Sequence, residues 1–430
     1  MLIAVAQIIP PLQSPDENAH LTRAYAITQG QWFLSATGNQ SSGALVDQGL
    51  IYFMDGYLRD LRTPGWRPST AQLAELHTVD WQGQKTFFPA PATSYYNPIA
   101  YIPQALGLWL GQKLGLSVSN SYALARTLTT LVVFAIIALA WRLFEPNALA
   151  IGLLILPMSL FQILMPTIDG LCHALTLLCL CWFCAIQDQK VSKLTHAGFA
   201  LLLVLLITSR IHAMPLLLLL LLLGPKNGIS ALRSRLTFSL SVIAVVAWAL
   251  WAVNHTVDLR IWRALSTMQI VQFYLTHPQQ WWSVLAHTLS NEQIVLFYQK
   301  TFIGVLGWLH IDLPQWYYSV CTIWLIGLTC LSIDLSWFTK NRLWREHLLF
   351  LVMAILSMML IWNMLLFTWT PFPHPFIEGV QGRYFWIPTC IFAFSLGRKP
   401  SLALSSKILL SLALALNVTL IFSVYFAAYH

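Results

Sequence analysis

RLTFSLSVIAVVAWALWAVN, running from Arg235 to Asn254, decides the fold class. After its first residue no side chain is charged. A helix rising about 1.5 Å per residue covers the ~30 Å hydrocarbon core of a bilayer at that length. Comparable runs occupy roughly 121–143, 147–165, 169–187, 317–337, 347–368, 384–397 and 406–428. Residues 195–224 are also apolar, but Arg210 and His212 interrupt them. A charge at mid-bilayer costs about 2.5–3.5 kcal/mol on insertion scales. That stretch therefore predicts two short helices with Arg210 and His212 at the turn. The chain is 57% hydrophobic and 9% charged, whereas soluble domains carry roughly 25% charged residues. A membrane β-barrel would show short alternating segments instead. The expected fold is all-α: a polytopic helical membrane protein forming one integral membrane domain over residues 1–430.

The net charge of +8 is spread over many short loops, which fits membrane orientation and gives no nucleic-acid footprint. Basic residues mark the loops 188–194, 225–235, 338–346 and 398–407. Placing all four in the cytoplasm gives one alternating path of about eleven spans, with the N-terminus inside and the C-terminus outside. Two long segments then share the opposite face: 13–117, with an interfacial helix over 98–116, and 257–316. Met1 to Leu12 is too short to span unaided. It lacks the basic start and cleavage site of a signal peptide, and reads as an incomplete first helix. The seven cysteines all lie in apolar runs, so no disulfide framework is expected, and Cys181 and Cys184 read as packing residues.

Polar residues at helix ends gather on the face of the two long loops. They are Asp16, Glu17, His20 and Arg23, then Asp169, His310 and Asp312, and finally His374, Glu378, Gln381 and Arg383. A transporter would set such groups near the midplane; the boundary position suits an enzyme acting on a substrate presented at the leaflet. Ser14 and Glu17 have capping-box spacing, and Pro15 suits a first helical turn. A helix starting there puts Asp16, His20 and Arg23 on one face. The capping box occupies Glu17 and leaves Asp16 freer to act as a general base. Alternatively Asp16 with Glu17 or His20 holds a divalent cation, Mg or Mn. Asp169 reads as a helix cap or a site residue. Arg383, flanked by Gly379 and Gly382, reads as an interfacial arginine or a phosphate-binding guanidinium. Trp308, in a tight turn with Gly304, Gly307, His310 and Pro314, stacks on a sugar or anchors the interface. Arg210 and His212 are expected away from this site, stabilising the hairpin or touching cytoplasmic-leaflet lipid.

Five segments carry a family resemblance. They are Ser14 to His20 with Arg23-Ala24-Tyr25, Tyr96-Asn97-Pro98 to Pro103, and Pro157 to Phe161 leading to Asp169-Gly170. Gly304 to Leu309 and Gly379 to Phe385 complete the set. In this order they resemble the bacterial membrane proteins of domain-of-unknown-function family 2142, which look related to the GT-C glycosyltransferases. The resemblance implies a GT-C-like fold with a large first periplasmic loop, in the bacterial inner membrane. It implies a sugar donor carried on polyprenyl phosphate and a glycan or lipid acceptor. It puts the functional acid at Asp16 or Glu17. On this reading Asp16 activates the acceptor, assisted by Glu17 or His20. Arg383 binds the donor phosphate and Asp169 orients the site, with Arg23, Trp308, His310 and Gln381 lining it. The alternative is a non-catalytic translocator of lipid-linked glycan, or an envelope-assembly partner.

Overall fold

The computed structural model describes residues 9–59, 69–261, 263–334, 343–397 and 404–429. Most of the first apolar stretch lies outside them. So do Asp60, Arg62, Pro64, Gly65 and Arg67 of the first loop, and Lys340, Arg342, Arg398 and Lys399 of the basic turns.

The chain is mostly helical. The first loop contains α1 (Glu17–Thr28), strand β1 (Gly43–Asp47), α2 (Gln48–Leu58), α3 (Thr70–His77), β2 (Lys85–Pro89) and α4 (Ile102–Lys113). Then follow α5 (Val118–Leu143), α6 (Ala148–Leu154), α7 (Pro157–Ile163), α8 (Asp169–Ile186), α9 (Lys193–Ser209), α10 (Leu218–Leu222) and α11 (Ala231–His255). The second loop carries α12 (Thr267–Thr276), α13 (Pro278–Ser290) and α14 (Glu292–Ile303). The last helices are α15 (Gln315–Ser332), α16 (Leu343–Thr368), α17 (Trp386–Leu396) and α18 (Leu404–Tyr429). Among the described residues, five helices are long and apolar enough to cross a membrane; they lie in α5, α8, α11, α16 and α18.

Three expected spans are not among these five: 317–337, whose helix α15 ends at Ser332, and two that are broken or cut short. Residues 147–165 form two short helices, because Pro157 forces Leu156 out of the helical region, at φ −58° and ψ 145°. Residues 384–397 yield only α17, 11 residues long and so ~16 Å, half of a bilayer core. The stretch 195–224 does divide at Arg210, between α9 and a 3-10 turn over Ile211–Leu217.

Asn147 donates to the Gly397 carbonyl at 3.1 Å, and Lys226 lies 3.9 Å from both Asp188 and Glu346. Lys407 pairs with Glu145 at 3.6 Å. The basic turns therefore share one end of the molecule. At the other end, the described residues of 13–59 and 69–117 form a built cap. β1 pairs antiparallel with β2, Gly43 opposite Pro89 and Asp47 opposite Lys85. α4 lies against α5 because Gly107 and Gly111 let its backbone meet Ala125 and Ser121, the small-residue spacing of close membrane helices. A second apolar cluster joins α12, α13 and α14 to the upper half of α16 through Ile270, Leu285, Tyr298, Ile361 and Leu366.

Candidate functional site: a buried guanidinium cluster

Asp169 opens α8, Arg210 closes α9, and Arg383 sits in the 3-10 turn Gly382–Phe385 before α17. α8 and α9 each run about 25–27 Å from the basic end, so the three meet at the far ends of their helices. Asp169 Oδ1 accepts a hydrogen bond from Arg210 Nη2. Its Oδ2 accepts from Arg383 Nη1 at 3.2 Å and Gln162 Nε2 at 3.5 Å. Asp169 and Arg383 are thus brought together as the sequence suggests, but inside the protein: each is 6% exposed. Arg210 corrects the reading that set it against cytoplasmic-leaflet lipid. Its helix starts at a basic turn, so the hairpin's bend falls at the opposite end and delivers Arg210 to Asp169.

Tyr96 ties this group to α1. Its hydroxyl accepts from Arg210 Nη1 at 3.0 Å, and its ring centre lies 4.8 Å from the same guanidinium. Its carbonyl accepts from Arg23 Nη2 at 3.5 Å. Asn97 Nδ2 donates to Thr208 Oγ1 at 2.9 Å, pinning the Tyr96 turn to the end of α9. His20 stacks on Tyr96, and its Nδ1 lies 2.8 Å from the Tyr101 hydroxyl. Burial pushes the Tyr96 phenol up; Arg210 opposes this, while Tyr384 and Asp16 add to it.

Arg23 is fully buried, and its Nε and Nη1 have no partner within the protein. The same holds for Arg383 Nε, Gln162 Oε1 and Gln381 Oε1. Arg23, Arg210 and Arg383 set three positive charges against the single negative charge of Asp169. Burying unpaired charge is costly, and a net excess of two buried guanidiniums is the signature of a site for an anion.

The α1 start is only half as expected. Glu17 Oε2 accepts from the Ser14 backbone N–H at 2.9 Å, but the Ser14 hydroxyl has no partner. The helix begins after Asp16, not at Pro15. Glu17 Oε1 also accepts from the Tyr122 hydroxyl at 2.6 Å and the Leu12 N–H at 3.2 Å. Glu17 is a buried brace whose two oxygens are both engaged within the protein. Asp16 lies outside the helix at φ 61°, in the left-handed region. Its side chain is 40% exposed, 3.9 Å from Arg260 Nη1. It therefore does not share the buried face of His20 and Arg23. With the oxygens of Glu17 taken and a guanidinium beside Asp16, these residues do not fit a divalent cation. Among the described residues no three His, Cys, Asp or Glu side chains come together as ligands.

Trp308 Nε1 donates to the Leu12 carbonyl at 2.7 Å, so it anchors the segment preceding α1. His310 is exposed, and its Nδ1 accepts from the Trp308 N–H at 3.1 Å. His374 pairs with Glu378 at 3.1 Å, apart from the cluster. Sequence reasoning left Arg210, Tyr96, Gln162 and Arg260 out of the site. A signal existed for Arg210 alone: an arginine inside an apolar run requires a partner, and Asp169 was the acid at a helix end.

The family model described as "Predicted membrane protein (DUF2142)" matches residues 1–391. The chain belongs to the DUF2142 family. No curated protein and no solved structure matches it.

Two predictions concern how this DUF2142 protein holds its cluster. The Gly382 N–H donates to Thr301 Oγ1 at 2.7 Å, and a Cβ at Gly382 would strike the Tyr298 carbonyl and the Phe302 N–H. Gly382→Ala is expected to cost about 1–3 kcal/mol, seen as a lowered thermal midpoint in detergent; an unchanged midpoint would show that α14 yields freely. Burial, and then Arg210 and Arg383, hold the His20 pKa well below 6.5. The unfolded chain takes up a proton below ~6.5 that the folded state resists. Stability is therefore complete above that pH and falls as pH drops, by up to about 1.4 kcal/mol per pH unit. His20→Gln is expected to flatten unfolding midpoints between pH 6.5 and 5; an unchanged slope would remove His20 as the source.

Proposed function

We propose that this DUF2142 protein is an inverting, GT-C-like glycosyltransferase of the bacterial inner membrane. Its basic turns lie in the cytoplasm and its cap at the periplasmic face. It moves a sugar from a polyprenyl-phosphate donor to an envelope acceptor. The observation that carries this reading is the cluster of Arg210 and Arg383 on the Asp169 carboxylate, joined to the buried Arg23 through Tyr96, with N–H groups of Arg23 and Arg383 unsatisfied by protein. A donor phosphodiester carries one negative charge. As the sugar leaves, its anomeric carbon releases the phosphate oxygen, which keeps the electron pair. The leaving phosphate monoester approaches two negative charges, matching the excess of two guanidiniums better than the donor does. Such charge matching favours the transition state over the bound substrate.

The acceptor oxygen forms the new bond to the anomeric carbon on the opposite side. Its proton passes to Asp16, the candidate base whose charge acts on Tyr96. Asp169 holds Arg210 and Arg383 in place and does not itself contact the phosphate. Trp308 braces the segment that carries Asp16.

The test is transfer of radiolabelled sugar by purified protein offered a panel of undecaprenyl-phosphate sugars, with and without chelator. Transfer from at least one donor, unchanged by chelator, is expected. No transfer, together with no binding of undecaprenyl phosphate in nanodiscs, would overturn the reading.

A further inference from the structure

We propose that α12 and α13 form a shelf embedded in the leaflet on the cap side, with Met268, Leu275, Trp282 and Leu289 turned to lipid acyl chains. The two helices have 10 and 13 residues, too few to cross a bilayer. They lie in it without spanning it. The inference goes beyond the glycosyltransferase reading and does not depend on it.

α16 serves as a ruler of depth. It is long and apolar enough to cross a membrane, and Glu346 near its start lies 3.9 Å from Lys226 of a basic turn. Leu348, Val352, Ile355, Met359, Trp362 and Leu366 recur at spacings of four and three, which is one stripe of a helix. In the lower half the stripe is bare: Leu348, Val352 and Ile355 are exposed, as lipid-facing residues are. In the upper half it is covered, and Leu366 is only 2% exposed. Trp362 and Leu366 belong to an apolar cluster that Ile270 and Tyr274 of α12 and Leu285 of α13 complete. The two short helices therefore occupy the place along α16 that lipid occupies below them.

The covered part of the stripe lies at bilayer depth. Trp362 stands fourteen residues above Leu348, or ~21 Å, and Leu366 eighteen, or ~27 Å. Both fall within a hydrocarbon core about 30 Å thick, and any tilt of α16 brings them deeper. Asn363 at the same level has its amide satisfied by protein. Trp281 Nε1 donates to its Oδ1 at 2.8 Å, and its Nδ2 donates to the Met359 carbonyl at 2.9 Å. Hydrocarbon would leave those groups unpaired at a cost.

The outward surface of the shelf fits lipid. Across residues 267–303 the charged side chains are Glu292 and Lys300 alone, against roughly a quarter of the residues in a soluble domain. Met268 and Leu275 are seven apart on α12, and Trp282 and Leu289 are seven apart on α13, so each pair shares one side of its helix. All four are exposed, Leu275 the most at 77%. Beside them run Gln269, Gln272 and Thr276 on α12, and Gln280, Ser283 and His287 on α13, exposed as well. An apolar edge next to an uncharged polar edge is the pattern of a helix lying in the membrane interface. An apolar surface of this extent facing water would be an aggregation liability.

The shelf is joined to the guanidinium cluster. α14 packs in the same apolar cluster through Tyr298, and its Thr301 Oγ1 accepts the Gly382 N–H at 2.7 Å, one residue before Arg383. A lipid resting against the shelf thus lies near the turn that carries Arg383.

The test is spin-label accessibility in full-length protein in nanodiscs. The exposed Cys330 is first replaced by serine, the other cysteines being buried. Labels go to Met268→Cys, Leu275→Cys and Leu289→Cys on the apolar edge, and to Ala71→Cys on the exposed face of α3 as the aqueous reference. Collisions are measured with oxygen, which dissolves in lipid, and with a water-soluble nickel chelate. The oxygen-to-nickel ratio at the three apolar-edge positions is expected to exceed that at Ala71→Cys at least fivefold. A ratio equal to the reference would put the edge in water and overturn the proposal. Low collision with both probes, with broadening between labelled copies, would overturn it in favour of a second copy of this chain. Leu275→Glu gives a check without a label. It is expected to lower the thermal midpoint in nanodiscs by about 2–4 °C, whereas a water-facing site would be indifferent, so an unchanged midpoint also overturns the proposal.

Discussion

Asp16→Asn protein is expected to insert and accumulate as wild type does, and to transfer sugar about 10²–10⁴-fold more slowly, the usual contribution of a general base. The expectation follows from the proposed function and from how little Asp16 does for the fold. Its side chain makes no capping bond at the start of α1. Its ion pair with Arg260, at 3.9 Å and 40% exposed on the Asp16 side, belongs to the class worth roughly 0–1 kcal/mol. Asparagine is the right replacement because the backbone sits at φ 61°. Asn tolerates the left-handed region as Asp does, whereas alanine would add strain to the loss of charge. The measurement is initial rate against donor at fixed protein, with amount checked by purified yield. A variant within twofold of wild type would remove Asp16 as the base.

Asp169→Ala is expected to lose about 3–5 kcal/mol, the range for breaking a buried pair from one side. Both its oxygens are engaged, by Arg210, Arg383 and Gln162. Removing it leaves three buried guanidiniums with no carboxylate among them. Thermal unfolding in detergent reports the loss. A double-variant cycle then separates charge from shape. Asp169→Asn combined with Arg210→Gln is expected to regain at least half of what Asp169→Asn alone loses, because deleting one cation relieves the excess. Additive losses would mean that packing at the α8 start, not charge, governs the site. Bound undecaprenyl phosphate is expected to raise the midpoint of Asp169→Asn more than that of wild type, since the variant cluster carries one more net positive charge for the phosphate to neutralise.

Legibility in the sequence followed the range of each interaction. The helical membrane class was readable from runs such as Arg235 to Asn254, because crossing a bilayer demands length and apolarity from a single segment. The break at Arg210 was readable for the same reason, as was the gathering of the basic turns at one end. The capping relation between Ser14 and Glu17 was half readable. Its backbone half forms, but Tyr122, 105 residues away, takes the other Glu17 oxygen, and no local pattern announces that.

Arg210 shows where local reasoning fails. It is not close in sequence to Asp169, Tyr96 or Arg383, and only the antiparallel run of α8 and α9 sets it beside them. Asp16 shows the reverse. It was singled out by its neighbours in sequence, yet its backbone conformation turns it away from His20 and Arg23 and toward Arg260, in a distant loop. The short α17 was misread as a full span, since an apolar run records burial without telling lipid from protein.

By itself, the sequence determined that this protein is a bundle of membrane helices with its basic turns at one end. Those are properties of single segments in contact with their solvent. Only the tertiary structure decided that Arg210 and Arg383 share the Asp169 carboxylate, with Arg23 tied to them through Tyr96, that Glu17 is a brace, and that Asp16 turns toward Arg260. Each of those facts depends on which helix ends meet, and that is set by long-range packing across the whole chain.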